Sequence, residues 1–251
     1  MENLRKVIKN QKFDNEFSHR LLNFEYHFRN IFEVCSFSFE KNCGSYLFDG
    51  LSYEYQIETY EKQKLLYEKS KNKKNILEIG TYMGHSLLLI LMANPSVKIT
   101  CIDINDEYSL PAITYLRSKF PMSQISFLKG NSIDVLKKIN EKFDLFHIDG
   151  AHKNKIVTKE FYYCMNLIKS NDIDFIFDDK ANIQVLLRNI KEVFTIREII
   201  SPDCPHSNIF LNIVFPVDKF LMNYKKIHLM FKSNFNYIIS KLKKFLKFKK
   251  I

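Results

Sequence analysis

Two short apolar runs in the second half of the chain end in groups that can do chemistry. One reads Phe-Asp-Leu-Phe-His147-Ile-Asp149-Gly150-Ala151-His152, the other Phe-Ile-Phe-Asp178-Asp179-Lys180. If the runs are adjacent strands, Asp149, Asp178 and Asp179 share one rim. Three carboxylates there repel unless protonated, separated or bridged by a cation. An oxygen-only donor set favours Mg²⁺ or another hard divalent ion over zinc. His152 lies three residues after Asp149, within reach of a hydroxyl held at such an ion, and a neutral imidazole can accept its proton near neutral pH. A plainer role for Asp178 or Asp179 is to cap the next helix. His147, inside an apolar strand, reads as a core histidine.

A second constellation begins at Glu78-Ile79-Gly80-Thr81-Tyr82-Met83-Gly84-His85-Ser86. A buried strand runs into a glycine turn and out into a helix, and glycine there permits a sharp turn and a close main-chain approach. The Gly-x-x-x-Gly spacing is not the dinucleotide pattern, and no Gly-Lys-Ser/Thr follows to hold a triphosphate. At the ends of the next two strands stand Asp103, able to accept from both hydroxyls of a ribose, and Gly130-Asn131-Ser132, whose amide can bond an adenine edge. Each feature alone is common. Their order on three successive strand ends is more specific, because open α/β sheets bind ligands at those ends.

The elements that must carry these groups follow from pattern. Short β-branched or apolar runs at 75–79, 98–103, 125–129, 143–149 and 173–178 alternate with helical stretches near 85–93, 110–120, 132–140 and 155–169. That alternation predicts a parallel sheet wrapped by helices. A helix near 181–191 precedes runs at 193–200 and 208–215, joined by Ser-Pro-Asp-Cys-Pro-His-Ser, which reads as a hairpin closing the sheet. Three segments result: a helical N-terminal extension (1–70), an α/β domain (71–218) and a basic tail (219–251).

The series Glu78, Gly80, Gly84, Ser86, then Asp103, then Asn131 and Ser132, resembles the class I S-adenosylmethionine-dependent methyltransferases. The resemblance implies a Rossmann-like sheet of seven strands, mostly parallel, ending in an antiparallel hairpin. It further implies that Glu78, Gly80, Thr81, Tyr82, Gly84 and Ser86 contact the methionine part of S-adenosylmethionine, Asp103 the ribose, and Asn131 with Ser132 the adenine, with Asp149 at the edge of the same site. The family more often has Asp where Asn131 stands. The Asp-Gly-x-His run and the Asp-Asp pair are similar to a branch of O-methyltransferases of glycan and natural-product pathways, and to the Mg²⁺-dependent catechol and caffeoyl-CoA types. In those types a lysine takes the place of His152. Members of the branch often carry an aromatic residue where Asn154 stands. The implied chemistry is O-methylation of a small-molecule or glycan hydroxyl, with Asp149, Asp178 and Asp179 as metal ligands and His152 as base.

The ends carry other possibilities. Leu21, Phe24, Phe28, Ile31 and Phe32 recur at helical spacing in the extension, which either packs on the sheet or forms a lid, with Tyr46, Phe48 and Tyr53 as candidate acceptor contacts. Net charge is +10 over 251 residues, yet ten lysines and no acidic residue fall from Lys219 onward, and the other 28 basic residues balance 28 acidic ones. In this tail Tyr224, Ile227, Phe231, Phe235, Ile238, Leu242 and Phe245 recur at three- and four-residue spacing, the pattern of a basic amphipathic helix. Such a helix either packs on its own domain or meets a membrane surface, a partner or nucleic acid. Nucleic acid is disfavoured: no Asp/Asn-Pro-Pro-Tyr motif follows the fourth strand, and the tail has no arginine for bidentate phosphate contacts. Five scattered cysteines without C-x-x-C spacing read as reduced thiols, and no run is long and apolar enough to span a bilayer. A cytoplasmic protein, peripherally membrane-associated at most, is expected. A non-catalytic binding module of the same fold and an RNA methyltransferase remain open alternatives.

Overall fold

The computed structural model describes residues 4–10, 13–204 and 206–248. The side chains of Ile238, Leu242 and Phe245, those of Lys241, Lys243, Lys244 and Lys247, and residues Lys249 and Lys250, all part of the expected basic stripe, lie outside the described set.

The sheet strands are β1 (Asn75–Ile79), β2 (Lys98–Asp103), β3 (Gln124–Lys129), β4 (Leu145–Ile148), β5 (Asp172–Phe177), β6 (Thr195–Ile200) and β7 (Ile209–Val214). They form one sheet in the order β3-β2-β1-β4-β5-β7-β6, with β1 to β5 parallel and β7 antiparallel to both β5 and β6. This is the expected seven-stranded arrangement. The direction of strand addition reverses between β2 and β4 on either side of β1, so the loops after β1 and β4 part there and leave a crevice at the carboxyl edge.

Period-two alternation sorts the strands' side chains into two cores. Ile76, Leu145, Ile176 and Phe210 face one side, where α4 (Tyr60–Ser70), α5 (His85–Ala93) and α6 (Ser109–Lys119) pack. Leu77, Phe146, Phe175 and Leu211 face the other, under α7 (Ser132–Leu136), α8 (Asn154–Cys164) and α9 (Gln184–Val193). Helix α8 stops at Cys164, short of the expected 169, because the chain turns there to let Ile168 bridge Phe143 beside β4.

The extension contributes three further helices, Leu4–Asn10, Glu16–Asn23 and Glu25–Val34, before α4. Leu21, Phe28 and Ile31 are fully buried in the same core as α5, so this segment is part of the domain's packing. A last helix, α10 (Lys219–Phe248), runs against α8 and α9. Among the described residues no helix is long and apolar enough to cross a membrane.

Candidate active site

The carboxyl edge of the sheet is stitched together by main-chain hydrogen bonds that continue past the strands. Gly130 N–H donates to Asp103 O, Gly80 N–H to Ile102 O, Asp149 N–H to Ile79 O and Asp178 N–H to Ile148 O, at 2.7–3.0 Å. The ends of all five parallel strands therefore lie in one row, and Asp103, the glycine loop, Asp149 and Asp178 share it.

The loop after β1 is built around left-handed residues: Gly80 (φ 86°), Tyr82 (φ 46°) and Gly84 (φ 70°). At Gly80 a Cβ would collide with the Asp149 carbonyl, so glycine is required by the close approach of this chain's own β4 loop. Tyr82 has no such freedom, and a non-glycine residue held there marks a segment determined by its surroundings. Asp103 supplies that restraint. Its Oδ2 accepts from the N–H groups of Thr81 and Tyr82 at 2.9 and 2.7 Å, and its Oδ1 from Asn105 N–H at 3.0 Å.

Glu78 faces inward. Its buried carboxylate accepts from Thr81 Oγ1 (3.0 Å) and Ser86 Oγ (2.7 Å), and His147 Nδ1 lies 3.2 Å away. With Nδ1–H donating to Glu78, His147 Nε2 accepts from the Tyr46 hydroxyl at 2.8 Å. His147 is thus a satisfied core histidine, and Glu78, Thr81 and Ser86 brace the loop from below. On the third strand end, the Asn131 side chain caps α7 by accepting from Ile133 N–H, while Ser132 Oγ donates to Glu160.

The expected three-carboxylate metal site is corrected by the structure. The Lys62 ammonium of α4 lies 2.7 Å from Oδ1 and 2.9 Å from Oδ2 of Asp178, with both side chains buried. Burial alone would push Lys62 down, but the charges of Asp178, Asp149 and Asp179 outweigh it and hold the ammonium above its usual value. Asp179 turns away to His152, whose Nδ1 is 2.9 Å from its Oδ2, with His206 Nδ1 at 3.4 Å from Oδ1. Among the described residues no three His, Cys, Asp or Glu side chains come together to hold a metal. Asp149, Asp178 and Asp179 do not fit a divalent ion here, because a protein cation already answers the charge of Asp178. Desolvation, then the Asp178 charge, push the Asp149 carboxyl well above its ordinary value, with Lys62 pulling the other way.

Asp179 is the residue preceding a short 3₁₀ turn, Lys180–Ile183, but makes no side-chain cap bond to it. It sits at φ 47°, ψ 54° and holds His152 instead. The His152 hydrogen bond drives Asp179 down to about 2, and the same bond raises His152 from its usual value. The imidazole is 49% exposed, and among the described residues its Nε2 has no partner. An imidazole oriented by a carboxylate through one nitrogen and open at the other is the arrangement of a general base.

Tyr46, Phe48 and Tyr53 do not line an open acceptor pocket. All three are buried, Tyr46 on His147 and Tyr53 on His85 Nε2 at 2.7 Å. Ser45 Oγ closes the other side of His85 at 2.7 Å from Nδ1, and burial depresses this histidine to about 3. With Glu40 N–H on the Tyr82 hydroxyl (2.8 Å) and Lys62 on Asp178, the extension touches the rim at the loops after β1 and β5, and it reaches β4 itself at His147. Lys62, His85 and His206 escaped the sequence reading. Lys62 is one of several lysines on α4, and no local pattern distinguishes it.

Residues 77–179 match the family model described as a methyltransferase domain. The chain is 27% identical over 107 residues to the O-methyltransferase hkm8 of Aspergillus hancockii, covering 42% of each chain. It is 33% identical over 92 residues to caffeoyl-CoA O-methyltransferase 5 of Nicotiana tabacum, covering 34% of this chain and 38% of the relative. The chain thus spans about two fifths of the length of the curated relatives it matches. Among solved structures, an O-methyltransferase from Bacillus cereus in complex with S-adenosylhomocysteine superposes with a TM-score of 0.58 at 12% identity, over 83% of this chain and 96% of that one. Residues 77–179 are thus similar to a methyltransferase domain, the fold is that of the O-methyltransferase superposed on it, and both curated relatives are named as O-methyltransferases.

Proposed function

We propose that this chain transfers a methyl group from S-adenosylmethionine to a hydroxyl of a small molecule, such as a sugar in a glycan precursor or a phenol, with His152 accepting the proton. The observation that carries this reading is the His152–Asp179 pair at the rim, 2.9 Å apart, with the imidazole half exposed. Both curated relatives are named as O-methyltransferases, which supports oxygen as the acceptor atom.

The sulfonium of S-adenosylmethionine brings an activated methyl donor. The chain's task is then alignment and proton removal. The left-handed loop from Gly80 to Gly84, fixed by Asp103, lies at the reversal of strand order, where it would present main chain to the donor. Gly80, Tyr82 and Gly84 would meet the methionine part, Asp103 the ribose and Asn131 the adenine. Glu78, Thr81 and Ser86 act through the loop's shape. Asp179 orients His152, and Lys62 balances the charge of Asp178 and Asp149 without a divalent ion.

The test is two measurements on one preparation. Calorimetry with S-adenosylmethionine and S-adenosylhomocysteine should show binding of both. Transfer of labelled methyl to a panel of sugars, catechols and other phenols should then proceed in excess chelator and fail in His152→Ala. A chain that binds neither nucleoside is a scaffold and not this enzyme.

A further inference from the structure

Helix α10 has two opposite faces with different fates. Met222, Lys226, Leu229 and Ser233, spaced at four, three and four residues, are buried against the domain. Lys226 Nζ donates to Asn166 Oδ1 at 2.7 Å, Asn189 Nδ2 to Ser233 Oγ at 3.0 Å, and Lys232 pairs with Glu192. These contacts fix the rotation of the helix about its axis.

The opposite face is apolar and open. Phe220, Tyr224, Ile227, Phe231 and Phe235 follow the same four, three, four, four spacing and are 56–83% exposed. At 100° per residue they form one stripe diametrically across from the docked set. Single exposed apolar residues are ordinary, but five in a row on one ridge, three of them phenylalanine, are not. In the sequence Ile238, Leu242 and Phe245 continue the spacing.

Charge selects what covers this stripe. From Lys219 to the end there are ten lysines and no carboxylate side chain. Leaving aside Lys226 and Lys232, which the domain itself engages, a second copy of the chain laid on this face would set eight lysines against eight. An anionic bilayer surface instead takes the aromatic ridge at its headgroup boundary and the ammonium groups at its phosphates, each lysine stem lying along the apolar surface. We propose that α10 seats the domain on an anionic phospholipid surface through Phe220, Tyr224, Ile227, Phe231 and Phe235, the helix lying in the plane of the interface. This does not depend on the catalytic reading.

The experiment is co-sedimentation of the full chain with vesicles of phosphatidylcholine alone and with about a quarter phosphatidylglycerol. Wild type should pellet with the anionic vesicles only, and salt raised to about 0.5 M should release much of it. Ile227→Glu/Phe231→Glu, on the exposed face, should keep its far-ultraviolet dichroism and weaken vesicle binding by about tenfold or more. Two results overturn the proposal: wild type that stays in the supernatant with anionic vesicles, or a double variant that pellets like wild type. If instead the wild type is a dimer by light scattering, the double variant a monomer, and neither pellets, the face joins two copies and the lipid proposal is wrong.

Discussion

The ammonium of Lys62 and the carboxylate of Asp178 meet at 2.7 Å across 116 residues of sequence, with side chains only 5% and 7% exposed. The pair ties the N-terminal extension to the end of β5 and fills with a protein cation the place where a metal ion was expected. Removing one partner of a buried pair strands the other charge, which typically costs about 3–5 kcal/mol. Lys62→Met, close in shape, should therefore lower the denaturation free energy of the full chain by about that amount. Urea unfolding followed by fluorescence measures it. A loss below about 1 kcal/mol would show that the pair contributes little beyond a surface bridge.

Asp149 bears the strain of this arrangement. Its carboxyl is pushed well above its ordinary value, first by burial and then by the Asp178 charge. A carboxyl whose folded value exceeds its unfolded one contributes stability below the unfolded value, near 3.9, and loses it as pH rises through the folded value. At neutral pH the charged form is thus a liability to the fold. Asp149→Asn should raise the melting temperature at pH 7.5, with the gain shrinking at pH 4. Melting curves at the two pH values check the sign, and an Asn variant less stable at pH 7.5 would refute the argument.

The sheet was legible because its strands are buried runs broken by turn residues. Leu77 and Ile79, or Phe175 and Phe177, declare themselves by type, and the expected strand limits fall within two residues of the observed ones. The rim positions of Asp103, Asp149, Asp178 and Asp179 followed from the strands. Their partners did not. Whether a carboxylate meets a metal, an ammonium or an imidazole is decided through space, and Lys62 reaches Asp178 only because α4 packs on that face of the sheet. Likewise Glu78 looked like a ligand contact, but its strand parity with His147 turns it into the core. For Tyr46 and Tyr53 the packing alternative holds over acceptor contact, and the sequence could not decide it because buried tyrosines pairing with buried histidines leave no periodic trace.

The His152–Asp179 pair makes a kinetic prediction. In the proposed role His152 must be neutral, and its hydrogen bond to Asp179 lifts the imidazole above its usual value near 6.5. The rate should rise with pH through a midpoint above that value. Asp179→Asn should move the midpoint down and slow the reaction, and His152→Ala should lower kcat/KM by about 10²–10⁴. A flat profile between pH 6 and 8 with full activity in His152→Ala would remove His152 from the reaction. In stability the signs are opposite. His152 favours the fold below its unfolded value and less as pH rises, whereas Asp179, held at about 2, favours it above the usual carboxylate value and loses this only in strong acid.

His85 predicts where acid first weakens the fold. It is buried between Ser45 Oγ and Tyr53 Oη, both at 2.7 Å, and burial depresses it to about 3. The unfolded chain takes up a proton near pH 6.5 that the folded chain refuses. Stability is therefore complete above about 6.5 and falls by about 1.4 kcal/mol per pH unit below it, until the folded group titrates. His85→Gln keeps an amide between the two hydroxyls but removes the titration. It should be less stable than wild type at pH 7, yet its loss between pH 6.5 and 5 should be smaller by about 2 kcal/mol. His27, depressed to about 4 by its own burial, titrates in both proteins and cancels in the comparison. Urea denaturation at the two pH values gives the difference directly. Equal slopes would mean that the proton enters without unfolding the chain, and that the Ser45–His85–Tyr53 contact opens on its own.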